Sequence, residues 1–162
     1  MPDDIRILWN VDLMEGDFAF DPDIQDLESD AGLETAVIIS LFTDRRARLD
    51  DPLPDFDNPD RRGWWGDLAS PEVEGDQIGS RLWLLNREKT LESVLVRAKE
   101  YVKEALQWMV EDGVAKDVEV ESERQGPVGS DILAISGKIL KPDGTVFPFK
   151  YEAQWNAQAL RG

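Results

Sequence analysis

The sequence contains no cysteine and no histidine. Without cysteine the chain has no disulfide and no thiolate nucleophile, and without histidine it has no imidazole base. These two residue types are also the usual protein ligands of transition metals. The carboxylates of aspartate and glutamate are therefore the main acid–base groups that remain for catalysis.

Long apolar runs and positive charge are also scarce. No segment reaches the roughly 18 apolar residues of a transmembrane helix, and the N-terminus lacks the pattern of a secretion signal. Lysine and arginine total 18 against 34 aspartates and glutamates, which gives a formal net charge of −16. Such a surface repels phosphate groups, so we expect no nucleic acid partner. From the missing apolar run and the missing signal pattern we expect no membrane partner and a cytoplasmic site of synthesis. The same charge suits a basic partner protein, or simply keeps the chain soluble.

The remaining composition is sufficient for one domain. The 162 residues include six Trp and six Phe, which place much of the apolar surface in large side chains. We predict a single α+β domain over residues 1–162, in which a long central helix packs on a small antiparallel sheet. Two segments are expected outside this core: an irregular acidic N-terminal arm at about residues 10–30 and a C-terminal tail at 152–162. For the tail a terminal helix and a flexible arm are both open.

Apolar residues at helical spacing predict two helices. The central helix is predicted at about residues 90–112, followed by Gly113 as its C-terminal cap. A second helix is predicted from near Ala31, with Ser29 and Asp30 as capping residues. Its β-branched run leaves a strand as the alternative.

Alternating residues predict strands in the N-terminal region and after the central helix. Pro142–Gly144 is typical of a hairpin turn, and Pro148 marks the strand that follows it as an edge strand or a bulge. The predicted strands are 5–9, 118–121, 132–139 and 145–151.

The stretch Arg61–Asp67, with the sequence RRGWWGD, is the most distinctive part of the chain. Trp64 and Trp65 are adjacent, so both rings cannot point into one core from an extended segment. Burial of two such rings would contribute on the order of 10 kcal/mol. The pair therefore either anchors a long loop to the core or turns at least one ring towards a partner, because Trp and Arg are enriched at interface hot spots.

Carboxylates are abundant, but their spacing indicates no distinctive catalytic or metal site. The Asp- and Pro-rich stretch 48–60 lacks the pattern of a calcium-binding loop, so we predict no metal. Glycoside hydrolysis needs two carboxyl groups about 5–10 Å apart, and only Asp67 and the pair Glu111–Asp112 lie near apolar residues. No phosphate-binding loop, nucleophile elbow or kinase signature is present. We predict no catalytic residue and no cofactor, and retain a carboxylate glycosidase as the alternative.

Four blocks of sequence carry a family resemblance: Ser40–Ala47, Arg61–Asp67, Gly79–Trp83 and Ala105–Ala115. In their order and spacing they resemble the gene-46 protein family of Mu-like phages and prophages. The source could therefore be a phage or a bacterial genome that carries a prophage. The interface candidates in these blocks are Arg45, Arg46, Arg61, Arg62, Trp64, Trp65, Asp67, Arg81 and Trp83.

The outline is also similar to the gene-25-like baseplate family of other contractile-tail phages. In that family a helix leads into a Thr-x-x-Gly-Glu-Arg-type turn and a Pro-x-Phe-Gly segment, followed by a long helix and strands. Here Thr43–Arg46 corresponds to the turn, without its Gly-Glu pair, and Arg62–Gly66 corresponds to the second segment. The resemblance implies a gene-25-like fold.

The resemblance implies a structural component of a tail baseplate, seated near the hub where sheath assembly starts and present in multiple copies. The expected partners are other baseplate and tail proteins, with sheath or tube subunits among the candidates. The expected location is the virion tail, after assembly in the host cytoplasm. Because the gene-25-like family has also carried a lysozyme label, a tail-associated glycosidase remains the alternative. An exposed edge of the C-terminal hairpin would accept or donate a strand.

Overall fold

A computed structural model of the chain describes residues 4–10, 13, 15–18, 20–21, 26–27, 29–30, 33–69, 75–86, 92–127 and 132–154. Within these ranges it contains two α-helices, nine strands and two 3₁₀ turns at Trp65–Leu68 and Leu82–Leu85. In chain order the helices and strands are β1 (Asp4–Ile5), β2 (Ile7–Asn10), β3 (Glu15–Phe18), β4 (Phe20–Asp21), β5 (Asp26–Leu27), β6 (Ser29–Asp30), α1 (Glu34–Phe42), α2 (Glu92–Glu111), β7 (Asp117–Gln125), β8 (Ile132–Leu140) and β9 (Val146–Gln154).

The core lies between α2 and a three-stranded sheet. The strand order is β7-β8-β9 and every pairing is antiparallel. Helix α2 packs mainly on β7, and it also contacts α1 and the turn at Leu82–Leu85. The predicted α+β class, with a long helix on a small antiparallel sheet, is confirmed, whereas the gene-25-like relationship stays a prediction. The largest fully buried side chains include Leu41, Leu85, Leu106, Met109, Leu133 and Ile139.

Helix α2 follows the predicted apolar period. Its buried side chains recur every three or four residues, at Val94, Ala98, Tyr101, Val102, Ala105, Leu106 and Met109. Gly113 has a φ of +73°, and its N–H donates to the carbonyl oxygen of Val110 at 3.2 Å, so the predicted cap is confirmed. Residues 90 and 91 lie outside the described ranges. Neither described helix is long and apolar enough to cross a membrane.

Helix α1 begins later than predicted. Ser29 and Asp30 do not cap it, because they form β6 and pair with β1. The helix begins at Glu34, with Leu33 as the N-cap residue and no side-chain cap. Its β-branched run is helical rather than extended, since helical spacing buries Val37 together with Leu33 and Leu41.

The N-terminal segment is more regular than the predicted arm at 10–30. Strand β3 pairs with β2, with Ile7 opposite Phe18, and β4 pairs with β5. The irregular assignment was wrong for these residues. The side chains of β3 are all exposed, so main-chain pairing forms here without a period-two apolar pattern. Trp9 of β2 stacks on Phe42 of α1, with ring centroids 3.9 Å apart, and this contact holds the hairpin against the helix.

The C-terminal strand is longer than predicted. Residues 152–154, predicted as the start of a tail that is either helical or flexible, belong instead to β9, where Gln154 pairs with Ile132. They are ordered by the ladder because β8 is long enough to pair with them. Residues 155–162 of the predicted tail lie outside the described ranges.

The predicted turn between β8 and β9 is confirmed. Asp143 accepts hydrogen bonds from the Thr145 N–H at 2.8 Å and from the Thr145 hydroxyl at 2.6 Å. These bonds favour the ionised carboxylate and lower the pKa of Asp143 from its ordinary value. Because the pKa is lower in the folded state, this contribution to stability is present above the unfolded pKa and is lost as pH falls through the folded value.

Pro148 lies on β9, which is an edge strand as predicted. The N–H of Lys141 donates to Thr145 O at 2.8 Å, and hydrogen-bonded pairs alternate along an antiparallel ladder. Pro148 is opposite Lys138, so it occupies a non-hydrogen-bonded pair. Its nitrogen therefore faces away from β8, and the missing N–H removes a donor from the outer edge of β9.

We expect Gly137→Ala to destabilise the sheet. A Cβ at Gly137 would overlap the Glu119 carbonyl oxygen and the ring of Phe149. The free energy of unfolding should fall by about 1–3 kcal/mol, although alanine is otherwise preferred to glycine in strands. Urea denaturation measures the change. The exposed neighbour supplies the control, Lys138→Ala, which should stay within about 0.5 kcal/mol of the native protein. A Gly137→Ala protein of native stability would contradict the close packing.

Candidate interaction site

Three segments meet beside the C-terminal half of α2. Asp44 and Ser80 form a parallel bridge, in which the Arg45 N–H donates to Ser80 O and the Ser80 N–H donates to Thr43 O, both at 2.9 Å. Farther along, the Ala47 N–H donates to Arg61 O at 2.9 Å. The segments after α1, around Arg61 and around Ser80 are therefore joined through their main chains, and we call the place where they meet the junction.

Gly79 makes the close approach at the bridge feasible. It has a φ of +97°, and a Cβ at this position would overlap the carbonyl group of Thr43. A residue other than glycine would be strained in its backbone and would also push the two segments apart. Gly79 thus fixes the distance between the end of α1 and the chain that leads to Leu82–Leu85.

Arg81 is a buried cation between two carboxylates. Its side chain is 10% exposed, its Nε donates to Glu104 Oε2 at 2.8 Å, and one terminal nitrogen donates to both carboxylate oxygens of Asp51 at 2.8 and 3.0 Å. Burial alone would lower the pKa of the guanidinium, but hydrogen bonds and charges from Glu104 and Asp51 outweigh it and raise the pKa. Arg81 therefore remains charged and links α2 to the loop at Asp51.

Tyr101 covers the other face of this guanidinium. The Arg81 guanidinium carbon lies 4.5 Å from the centroid of the Tyr101 ring, within cation–π range. Burial raises the pKa of the Tyr101 hydroxyl, and the positive charge of Arg81 opposes this shift. Both side chains belong to the interior of the described protein.

Glu104 contacts further arginines besides Arg81. A terminal nitrogen of Arg48 donates to Glu104 Oε1 at 2.6 Å, and one of Arg45 lies 3.7 Å from the same oxygen. Arg45 also donates to the carbonyl of Gln77 at 2.6 Å. The carboxylate of Glu104 therefore attracts the guanidinium groups of Arg45, Arg48 and Arg81 to one position of α2.

The remaining arginine candidates support the backbone of the loops. Arg61 donates to the carbonyl oxygens of Arg48 and Leu49, and Arg46 donates to the carbonyl of Arg62 at 3.2 Å. Each guanidinium thus satisfies main-chain acceptors in segments that lack regular structure. These contacts lie within the chain and stabilise the loop conformation.

Arg62 and Trp83 form a second layer of the junction. Arg62 donates to Asp44 Oδ2 at 2.8 Å, and its guanidinium carbon lies 4.5 Å from the centroid of a Trp83 ring. The buried indole of Trp83 donates to Arg45 O at 2.8 Å. Arg62 has a φ of +52°, unusual for a residue with a side chain, and Gly63 follows with +111°. This strained turn redirects the chain so that the residues after Gly63 leave the junction.

Trp64 and Trp65 lie at the surface. Trp64 is 42% exposed and Trp65 is 75% exposed. Leu68, in the same 3₁₀ turn as Trp65, is 85% exposed. The two rings contact each other at a centroid distance of 5.3 Å, and the Trp64 ring covers Gly66 so closely that a Cβ there would overlap it. Neither ring is buried in the core, so the geometry argues against the core-anchor alternative, and a partner at either ring stays a prediction.

A cleft of about 720 Å³ opens next to Trp64. Its carboxylates are Asp67, Asp76, Glu111 and Asp112, and its apolar walls come from Ala36, Ile39, Trp64, Ile78 and Trp108. The indole N–H of Trp108 donates to Ser40 Oγ at 3.0 Å, which ties α2 to α1 beneath the cleft. Within the described ranges, no three carboxylates are placed to hold a metal ion.

The groups that organise the junction were not predicted from the sequence. Glu104, Asp51 and Tyr101 were not among the site candidates, although Glu104 follows Tyr101 by one helical turn and so faces the same side of α2. A glutamate on the apolar face of a helix was the available signal. For Asp76 and Gln77, which line the cleft from a loop, the sequence holds no comparable signal.

A loop that is held in place by hydrogen bonds and ion pairs and that exposes aromatic side chains beside a cleft is typical of a protein–protein interaction module. Residues 33–146 match the family described as Phage protein GP46, which is more than half of the chain. The baseplate protein gp46 of Escherichia phage Mu is 41% identical over 153 residues, which cover 94% of this chain and 97% of that protein. The Mu-like prophage FluMu protein gp46 of Haemophilus influenzae is 37% identical over 153 residues, which cover 94% and 98% of the two chains. The chain belongs to the GP46 family of phage proteins, and the predicted family is confirmed.

We expect Arg81→Lys to destabilise the protein, because an ammonium keeps the charge but lacks the planar fork that reaches Glu104 and Asp51 together. The loss should be about 2 kcal/mol in the free energy of unfolding. Denaturant titration measures it. The matched control is Arg48→Lys, which alters a partner of the same Glu104 on a side chain that is 62% exposed, and it should cost no more than about 0.5 kcal/mol. Equal losses in the two variants would contradict the central position of Arg81.

Proposed function

We propose that this chain is a structural component of the tail baseplate of a contractile-tailed phage or prophage, and that it acts through protein–protein contacts rather than catalysis. The near full-length similarity to baseplate protein gp46 of Escherichia phage Mu carries this proposal. We propose that several copies lie in the virion tail, near the hub where sheath assembly starts. The tail is assembled in the host cytoplasm in this proposal. The partners are other baseplate and tail proteins, with sheath or tube subunits as further candidates.

The exposed side chains of Trp64, Trp65 and Leu68 support a contact surface here. Large apolar groups at the surface of a protein are commonly covered by a partner. Tryptophan contributes a large contact area with few rotatable bonds, so little conformational entropy is lost when a partner covers it. The loop beneath is already fixed by the Arg62 and Trp83 layer, which prepares the surface for binding.

A second contact is proposed at the sheet. Strands β7 and β9 are the two edges of the described sheet, and the outer edge of β9 lacks a donor at Pro148. We therefore favour β7 as the edge that pairs with a neighbouring strand. Glu119, Glu121 and Glu123 are exposed along β7 and keep the free subunit from pairing with its own copies.

We expect Trp65→Ala to separate folding from assembly. Since Trp65 is 75% exposed, its removal should change the melting temperature by less than about 3 °C, while the amount of protein in purified tails should fall at least about fivefold. Circular dichroism measures the first quantity and immunoblotting of tails the second. Phe56→Ala, at a fully exposed aromatic in another loop, is the matched control and should assemble normally. Normal incorporation of the Trp65→Ala protein would contradict a contact at this ring.

We expect the purified protein to leave peptidoglycan intact. Asp67 and Glu111 line the same cleft and are the carboxylates that the glycosidase alternative would use. A zymogram and a turbidity assay measure hydrolysis, with hen lysozyme as the positive control. Clearing by the native protein that disappears in Asp67→Asn and Glu111→Gln variants would overturn the structural role.

A further inference from the structure

The cleft beside Trp64 carries charge of one sign. The residues that line it include Asp67, Asp76, Glu111 and Asp112 but neither lysine nor arginine. In the described part of the chain, none of these four carboxylates forms an ion pair, whereas Glu104 is contacted by three arginines. Arg45 and Lys103 line a neighbouring pocket with Asp76 and Glu111, but within the described residues no ion pair neutralises the four carboxylates of the cleft.

Only one of the two carboxylate oxygens of Asp67 accepts a hydrogen bond within the described residues. Its Oδ1 accepts a hydrogen bond from the Ile78 N–H at 3.2 Å, while Oδ2 is buried and has no hydrogen-bond partner among the described residues. A buried carboxylate oxygen without a donor is unfavourable, so a rotation of the Asp67 side chain that turns Oδ2 into the cleft, where a bound molecule can donate to it, would remove that penalty. An incoming ammonium or guanidinium is the strongest donor for such an oxygen.

The walls of the cleft are apolar and partly aromatic. Ile39 and Trp64 are exposed at its edge, at 36% and 42%, and Trp108 and Ile78 continue the surface inward. Aliphatic and aromatic walls favour apolar side chains, and the face of Trp64 also attracts a cation. A volume of about 720 Å³ accommodates a few side chains rather than a whole helix or domain.

We propose that this cleft binds a segment of a neighbouring baseplate protein in which a lysine or arginine stands next to an apolar side chain. The cation lies against Asp67 and Asp76, and the apolar side chain packs on Ile39 and Trp64. The inference rests on the proposed function, since it names the chemistry of one partner at that surface. A second copy of this chain is a poor occupant, because its formal net charge is also −16.

Photo-crosslinking in assembled tails tests the identity of the occupant. The full-length protein carries p-benzoylphenylalanine in place of Ile39, which is exposed at the edge of the cleft, or in place of Val96 as the matched control. Val96 is also an exposed aliphatic residue on a helix, and it lies about 18 Å along α2 from the cleft residue Trp108. Tails containing each variant are purified and irradiated, and the coupled peptides are sequenced by mass spectrometry.

The expected product joins position 39 to a different baseplate protein, at a peptide with a lysine or arginine within about three residues of the coupling site, and it is absent at position 96. A peptide without a basic residue, a peptide from a second copy of this chain, or no product in tails that contain the variant would each overturn the inference. Immunoblotting for the native protein in tails assembled with the native protein tests the proposed function separately, because its absence there would refute the baseplate role itself.

A charge-reversal variant tests the proposal quantitatively, through the amount of protein that reaches tails. The double variant Asp76→Lys/Asp112→Lys changes the cleft, and Asp57→Lys/Glu100→Lys makes the same change of net charge at exposed residues that do not line it. We expect the cleft variant to reach tails at one fifth of the native amount or less, and the control at the native amount. Melting curves confirm that both are folded. Equal incorporation of the two folded variants would overturn the inference while leaving the baseplate role intact.

Discussion

The ion pairs of Arg81 hold the Asp- and Pro-rich loop at Asp51 against α2. One buried guanidinium contacts Asp51 in an Asp- and Pro-rich loop and Glu104 on α2, and it stacks on Tyr101. Removing one member of a buried ion pair generally costs about 3–5 kcal/mol, which is a large fraction of the 5–15 kcal/mol that stabilises a typical domain. Loop position and global stability are therefore linked through one side chain, in a protein whose surface is otherwise strongly negative.

The position of the exposed tryptophans follows from this arrangement. Trp83 belongs to the same turn region as Arg81 and supports Arg62, whose left-handed conformation begins the turn at Gly63. The stretch RRGWWGD is thus divided by its backbone: its arginines satisfy carbonyl oxygens and Asp44 within the chain, and its tryptophans face solvent. The arginines of the motif thus hold the loop in place, and its tryptophans form the exposed surface.

Prediction from sequence succeeded where burial repeats along the chain. Helix α2, strand β8 and the turn at Asp143 show their periods or turn residues directly. It failed at β3, whose side chains are exposed, and at Ser29 and Asp30, where pairing with β1 overrides their capping preference. The tryptophan pair was recognisable because adjacency alone limits burial. The cleft was not, because its walls come from positions between 35 and 112, and composition does not say which carboxylates remain unpaired.

Pro148 has a consequence for stoichiometry. Its nitrogen faces away from β8, so the two outer edges of the sheet are chemically different, and a strand docked on β9 would lose a hydrogen bond that a strand on β7 would make. Copies of the chain are thereby discouraged from adding edge to edge into a fibre, since each addition would join a complete edge to an incomplete one. The missing N–H would therefore weaken pairing at β9 and would leave the proposed pairing at β7 unchanged.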